Sequence, residues 1–235
     1  MLLLAIDTSG KLGSIALARV GESCEHHNDL KLNSLELIET VALAGGTFSA
    51  ELVPQIAALL SKHGFTRHDI SAFAVASGPG SFTGLRIGLA VVKALAEILD
   101  KPIAPVSLLE VCVFTSAAQG KVMAALDAGR SDVYVGEYEV SGHASQLRQV
   151  RQDMLSRNEF LSQARGWTVV TPDTALAEVA VAAGLPVSIL AAISAADVAR
   201  LGWRKIQAGE TVSPDRLEAN YIRRTDAEML EKIGS

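Results

Sequence analysis

The residues best suited to chemistry stand in three short runs. The run Gly78-Pro79-Gly80-Ser81-Phe82-Thr83-Gly84-Leu85-Arg86-Ile87-Gly88 sets four glycines and a proline between an apolar stretch and an amphipathic one. Glycine permits positive φ and close backbone approach. A helix starting there would present free N–H groups and a partial positive charge, to which an anion could dock. Arg86 could add a bidentate contact to a carboxylate or phosphate. The spacing is neither a Walker A loop nor a G-x-G-x-x-G fingerprint. A second reading is a tight strand-to-helix turn, with Gly84 and Gly88 one helical turn apart where another element packs against them. Both readings stand at this point. Asp7-Thr8-Ser9 ends the first apolar run, and Asp127-Ala128-Gly129 ends another in the second half. An Asp at a strand end followed by small or hydroxyl residues suits either a metal-bound phosphate or an Asx turn.

Other chemistry finds little support. The five histidines include the adjacent pair His26 and His27, and His63 and His68 five apart. None forms HxxxH or HExxH, so they read as surface residues and no metal site is expected. No G-x-S-x-G elbow surrounds any serine, and Ser81 has no evident base. Cys24 and Cys112 stand far apart and read as reduced thiols. Arg200, Arg204, Lys205, Arg216, Arg223 and Arg224 are interleaved with Glu210, Asp215 and Glu218. That mixture reads as a solvated face, with a local RNA-facing patch as the alternative.

The elements that must position these residues follow from hydrophobic periodicity. Residues 2–6 and 14–20 read as strands; the spacing of 35–44 fits a strand or a short helix, and the strand is favoured because Gly45-Gly46 then punctuates it. Residues 49–63 read as a helix with Leu52, Ile56, Leu59 and Leu60 on one face and Gly64 beyond its C-terminus. Residues 72–76 form a buried strand, 85–99 a helix, and Pro102 ends the unit. From 103 the pattern restarts: a strand at 103–106, a helix over 107–118, strands at 122–126 and 133–140, and helices over 174–183 and 194–208. The expectation is two similar α/β halves of β-β-β-α-β-α type, at 1–102 and 103–235. The 35 alanines favour helices and close packing of small side chains.

Composition sets the outer bounds. The 235 residues are 49% hydrophobic, 20% charged and 5% aromatic, with a net charge of −5. A packed core is expected and disorder is not. Few aromatics and a negative charge argue against a stacking platform or a surface that grips phosphate throughout. The apolar run at 2–6 is too short for a signal or a span. A cytoplasmic protein is expected.

Four segments carry a family resemblance: LLLAIDTS at 2–9, VASGPGSFTGLRIGLAVVKALA at 75–96, KPIAPVSLLE at 101–110 and NYIRRTDAE at 220–228. In this order they resemble the bacterial TsaB family, also called YeaZ, with the weakest likeness at 21–46 and 140–210. The resemblance implies the actin/sugar-kinase/Hsp70-type fold. It also implies a role in forming threonylcarbamoyl-adenosine beside the anticodon of tRNAs that read codons beginning with A. In that family a TsaD subunit holds the metal and transfers the group, TsaC supplies threonylcarbamoyl-AMP, and TsaE is an ATPase partner. TsaB itself is a non-catalytic scaffold that pairs with TsaD and self-pairs when alone. The family's pairing surface uses the first-half helices, which carries it onto Leu52, Ile56, Leu59, Gly84, Gly88, Val91, Val92 and Leu95. Asp7, Thr8, Ser9 and Asp127 would then be a vestigial phosphate site. No cofactor of its own is implied, and ATP or ADP only at an interface with partners. The family's His-Ser at the first helix is Phe48-Ser49 here, and its Asp-Ala-Arg is interrupted by Gly129. The alternative reading is an independent ATP-dependent enzyme of the same fold, using Asp7, Thr8, Ser9 and Asp127 around magnesium-phosphate. A peptidase reading has no metal set and no nucleophile–base pair behind it.

Overall fold

The computed structural model describes residues 1–21, 35–142 and 146–222, with Gln146 described by its backbone alone. The chain forms two compact units: Met1–Leu108 with Ile193–Ala219, and Leu109–Ala192 with the chain from Asn220. The expected division at 102 therefore differs from the packing, because residues 193–219 return to the first unit.

The first unit holds a five-stranded sheet of order β3-β2-β1-β4-β5. Its strands are β1 (Leu2–Asp7), β2 (Gly13–Val20), β3 (Leu35–Leu43), β4 (Ile70–Gly78) and β5 (Ile103–Ser107). The first three are antiparallel neighbours, and β4 and β5 join in parallel. The outer edge of β5 is covered by Val212, whose N–H donates to the Ile103 carbonyl at 2.8 Å.

Period-two alternation gives this sheet two different faces. One carries Leu2, Leu4, Ile6, Ile15, Leu17, Phe73, Val75 and Ile103. It packs against α1 (Phe48–Lys62) and α2 (Phe82–Leu99), which contribute Leu52, Ile56, Leu59, Leu60, Leu85, Leu89 and Val92. Gly64, at φ +73°, follows α1 as expected. The alternate residues are small: Ala5, Ala16, Ala18, Ala72, Ala74, Ala76 and Ala104 are all buried. Against that face lies α6 (Ala195–Gln207), packed on β1, β2, β4 and β5. It opens with a capping box between Ser194 and Asp197 and buries Val198, Ala199, Leu201, Gly202 and Trp203. Gly202 sits directly over the alanines, and a Cβ built there would lie 2.4 Å from the Ala74 Cβ. The many alanines thus serve close helix–sheet packing as well as helix propensity.

The second unit repeats the plan. Strands β6 (Gly120–Gly129), β7 (Asp132–Ser141) and β8 (Gln146–Ser156) form an antiparallel meander. Strands β9 (Thr168–Thr171) and β10 (Val187–Ile189) join in parallel, giving the order β10-β9-β6-β7-β8. Each sheet is therefore a meander extended by two parallel strands from its first member. Helices α4 (Arg157–Gln163) and α5 (Thr174–Ala182) accompany it, and α3 (Leu108–Thr115) follows β5. The core gathers Met123, Val133, Val135, Leu155, Phe160, Val169 and Leu176. Strands β8, β9 and β10 and helix α4 are additions to what periodicity suggested. Strand β8 (QLRQVRQDMLS) alternates polar with polar and reads as a loop by composition.

The alanine face generates a stability prediction. Gly202→Ala forces α6 and β4 apart and should cost about 1–3 kcal/mol in urea unfolding, and Gly202→Leu more. Equal stability of wild type and Gly202→Ala would show that this approach is slack.

Candidate functional site

The glycine-rich run and the end of β1 form one assembly. Helix α2 begins at Phe82, three residues before the expected Leu85, because Ser81 caps it by accepting from the Gly84 N–H at 3.3 Å. The Ser81 N–H donates to the Ser9 carbonyl at 2.7 Å, and the Thr8 hydroxyl donates to the Gly84 carbonyl at 2.8 Å. A Cβ on Gly84 would lie 1.9 Å from the Thr8 carbonyl oxygen. One on Gly80 would lie 2.6 Å from the Ser9 carbonyl oxygen, and one on Gly88 2.4 Å from the Thr8 hydroxyl. Three of the four glycines are therefore required by the approach of α2 to Thr8 and Ser9, with Gly78 at φ +125° turning the chain into it. This is the tight-turn reading of the motif.

The same contacts occupy the loop's polar groups. Asp7 is 7% exposed and accepts from the Ser9 N–H at 2.9 Å and the Ser9 hydroxyl at 2.6 Å. Burial pushes its carboxyl above the ordinary Asp value, against the pull of those hydrogen bonds. Its cross-strand neighbour Ser14 accepts from the Ala195 N–H at 2.8 Å, which docks the start of α6 beside it. Phe48 is buried in the core with its ring against Gly13. In the second unit Asp127 stands at the end of β6, exposed, and accepts from the Gly129 N–H at 3.1 Å as an Asx turn. Arg130 and Ser131 make the hairpin turn at φ 53° and 69°.

The eight residues expected to pair with a partner divide by face. Leu52, Ile56, Leu59, Gly84, Gly88 and Val92 are buried in the first unit, the leucines, Ile56 and Val92 within its apolar core. Val91 and Leu95 are half-buried at its margin. The outward faces carry residues that periodicity did not single out: Val53 and Ala57 on α1, and Ala90, Ala94 and Ile98 on α2. Val53 is 54% exposed and Ile98 72%. Both helices are apolar on more than one face, so the sequence pattern does not fix their phase. Phe82, Thr83 and Arg86 are exposed where α2 starts, with the Arg86 guanidinium 3.7 Å from the Phe82 ring centroid.

The remaining candidates are structural. His63 is half-buried, not a surface residue, and with Lys62 it binds Glu39 at 2.7 Å. Lys62 first and His63 second hold the Glu39 carboxyl below its usual range. Burial pushes the Cys112 thiol up to about 12, so it is no nucleophile at neutral pH. Among the described residues no three His, Cys, Asp or Glu side chains come together as metal ligands. Cys24, His26, His27, His143, Arg223 and Arg224 lie outside the described residues.

Two predictions test this geometry. Gly84→Ala must push α2 off Thr8 and should cost about 2 kcal/mol or more in chemical denaturation. Asp7 has a raised folded pKa, so the stability it adds is fully present below the unfolded value of about 3.9 and lost as pH rises through the folded value. Measured against Asp7→Asn, wild-type stability should fall over that window. A constant difference across pH would contradict the enclosed carboxyl.

Comparison with known proteins identifies the lineage. The family model "TsaD: tRNA N6-adenosine threonylcarbamoyltransferase" matches residues 42–200. The chain is 35% identical over 144 residues to the tRNA threonylcarbamoyladenosine biosynthesis protein TsaB of Bacillus subtilis, covering 59% of this chain and 56% of that protein. It is 32% identical over 147 residues to TsaB of Escherichia coli, covering 59% and 55%. The match thus spans little more than half the length of these curated relatives. YeaZ from Pseudomonas aeruginosa superposes with a TM-score of 0.68 at 24% identity, over 94% of this chain and 99% of that one, which shows the shared fold. With a common strand order in both units and these matches, the chain belongs to the TsaD family of the actin-like fold, on its TsaB/YeaZ branch.

Proposed function

We propose that this chain is a scaffold subunit for threonylcarbamoyl-adenosine formation in tRNA, acting by pairing with a TsaD-type catalytic subunit. The observation that carries this reading is the outward apolar face of α1 and α2. These helices spend their inner faces on the sheet and still present Val53, Ala57, Ala90, Ala94 and Ile98 outward. Two adjacent helices with small and aliphatic outer residues suit a second helix pair packed as a four-helix layer. Burying such a face contributes about 25 cal/mol per Å² of apolar surface. The names of the curated TsaB relatives supply the pathway.

On this reading the chain performs no step of group transfer. A TsaE-type ATPase joins the complex, and nucleotide binds at an interface with partners. The tRNA meets the complex through the catalytic subunit or through a local patch of this chain. The runner-up, an independent ATP-dependent enzyme, needs Asp7, Thr8 and Ser9 to receive a metal-bound phosphate. The Ser9 bonds to Asp7 and the Thr8 bond to Gly84 weigh against it. No helix among the described residues is long and apolar enough to cross a membrane.

The pairing face is tested by calorimetry against the TsaD-type subunit. Ala94→Arg and Ile98→Glu should weaken association by about 2 kcal/mol or more while leaving the melting temperature near that of wild type. Val92→Glu, by contrast, should unfold the first unit, since Val92 is fully buried. Unchanged affinity in both surface variants would remove the assigned face. ATP binding by the isolated chain that is lost in Asp7→Ala would favour the runner-up.

A further inference from the structure

We propose that Phe82 and Arg86 are the specificity anchor of the pairing face, with Arg86 taking a carboxylate of the TsaD-type subunit and so fixing the register in which the helices pair. The anchor presupposes the pairing proposed above and decides its register.

Close packing explains only part of the glycine-rich run. The approach of α2 to Thr8 and Ser9 requires Gly80, Gly84 and Gly88. It requires nothing of Phe82 and Arg86, which point outward: Phe82 is 44% exposed, and Arg86 is exposed. Both stand at the Ser9 end of β1, away from the Met1 end where Val20 pairs with Leu35. The Arg86 guanidinium lies 3.7 Å from the Phe82 ring centroid. An arginine stacked on an aromatic ring is held in place before any partner arrives, which lowers the ordering cost of binding. Aromatic and arginine side chains are also the types that dominate interface energetics. Stacking uses the face of the guanidinium, whereas its N–H donors lie in its plane, in the fork that matches a carboxylate.

The pair continues the outward face. Phe82, Arg86, Ala90, Ala94 and Ile98 recur at every fourth position of α2, and all are exposed. Residues at this spacing form one ridge running obliquely along a helix. A helix seated on Ala90, Ala94 and Ile98 therefore meets Arg86 one turn further on. Apolar contact alone sets the register loosely, because a slip of one turn exchanges Ala90 for Ala94. Arg86 is the only charge on the ridge. A carboxylate facing it is matched in one register and stranded in the slipped ones. One polar group in a helix interface fixes register in this way.

The surroundings favour a protein carboxylate over an RNA phosphate. Beyond Arg86 the ridge is aliphatic, Glu97 is exposed beside Ile98, and the chain carries a net charge of −5. A phosphate backbone is gripped by several cations together. A single stacked arginine suits a single bidentate carboxylate.

Calorimetry of the full chain against the TsaD-type subunit, over a range of ionic strength, tests the anchor. Wild-type affinity should fall as salt rises. Arg86→Met keeps an apolar stem on the ring and should bind roughly tenfold more weakly at low salt, with a flatter salt dependence. Arg86→Glu should bind more weakly still, and changing the acidic residues of the TsaD-type subunit to Arg one at a time should restore its binding at one position. Arg86 is exposed, so thermal melts of both variants should match wild type. Equal affinity and equal salt dependence in all three proteins overturn the proposal; if Ile98→Glu still weakens association, the pairing face stands and only the anchor falls. A loss in Arg86→Glu that no partner substitution restores overturns the carboxylate. Weakened tRNA binding with unchanged affinity for the subunit overturns it in favour of a phosphate. No binding of the wild-type chain to the subunit removes the pairing reading and the anchor together.

Discussion

The close approach of α2 to the end of β1 is the constraint on which the first unit depends. Thr8 and Ser9 lie so near Gly80, Gly84 and Gly88 that no side chain fits between them. That approach fixes where α2 starts, and hence its rotation. Rotation decides that Leu85, Leu89 and Val92 enter the core while Ala90, Ala94 and Ile98 face outward. It also consumes the polar groups of the Asp7–Ser9 loop. One packing event therefore both engages the polar groups of this loop and sets which residues of α2 face outward.

The second constraint is the division of the first sheet into a large-residue face and an alanine face. Large aliphatics hold α1 and α2 at ordinary distance through dispersion and burial. Alanines admit α6 much closer, with Gly202 against Ala74. Helix α6 comes from near residue 200 yet belongs to a sheet built from the first 107 residues. Its first N–H bonds to Ser14, beside Asp7. The loop at the end of β1 is thus braced by α2 through glycines and by α6 through a buried polar contact.

Much of the fold was legible because periodicity marks it. The strands at 2–7, 13–20, 70–78 and 103–107 are apolar runs bounded by turns, and α6 shows a clear stripe. Strand β8 was not legible, since an edge strand with Gln, Arg and Asp along it has no apolar period. The return of 193–219 to the first unit was hidden because the alanine face announces a helix partner without naming which one. The site was legible in part. The glycines at 80, 84 and 88 were marked as important, but spacing alone does not separate an anion cradle from a close packing contact. Six of the eight residues expected to pair with a partner are buried within the first unit itself, and Val91 and Leu95 lie at its margin. Apolar residues surround α2, and its phase is set by the Ser81 cap together with the approach of Gly84 and Gly88 to Thr8.

The most direct measurement is hydroxyl-radical footprinting of the side chains, with the chain alone and bound to a TsaD-type subunit. The account predicts protection at Val53 and Ile98, the exposed aliphatics of α1 and α2, with Leu12 and Val150 modified equally in both states. Protection elsewhere with Val53 and Ile98 unchanged would contradict the claim that the outward face of these helices is the functional surface.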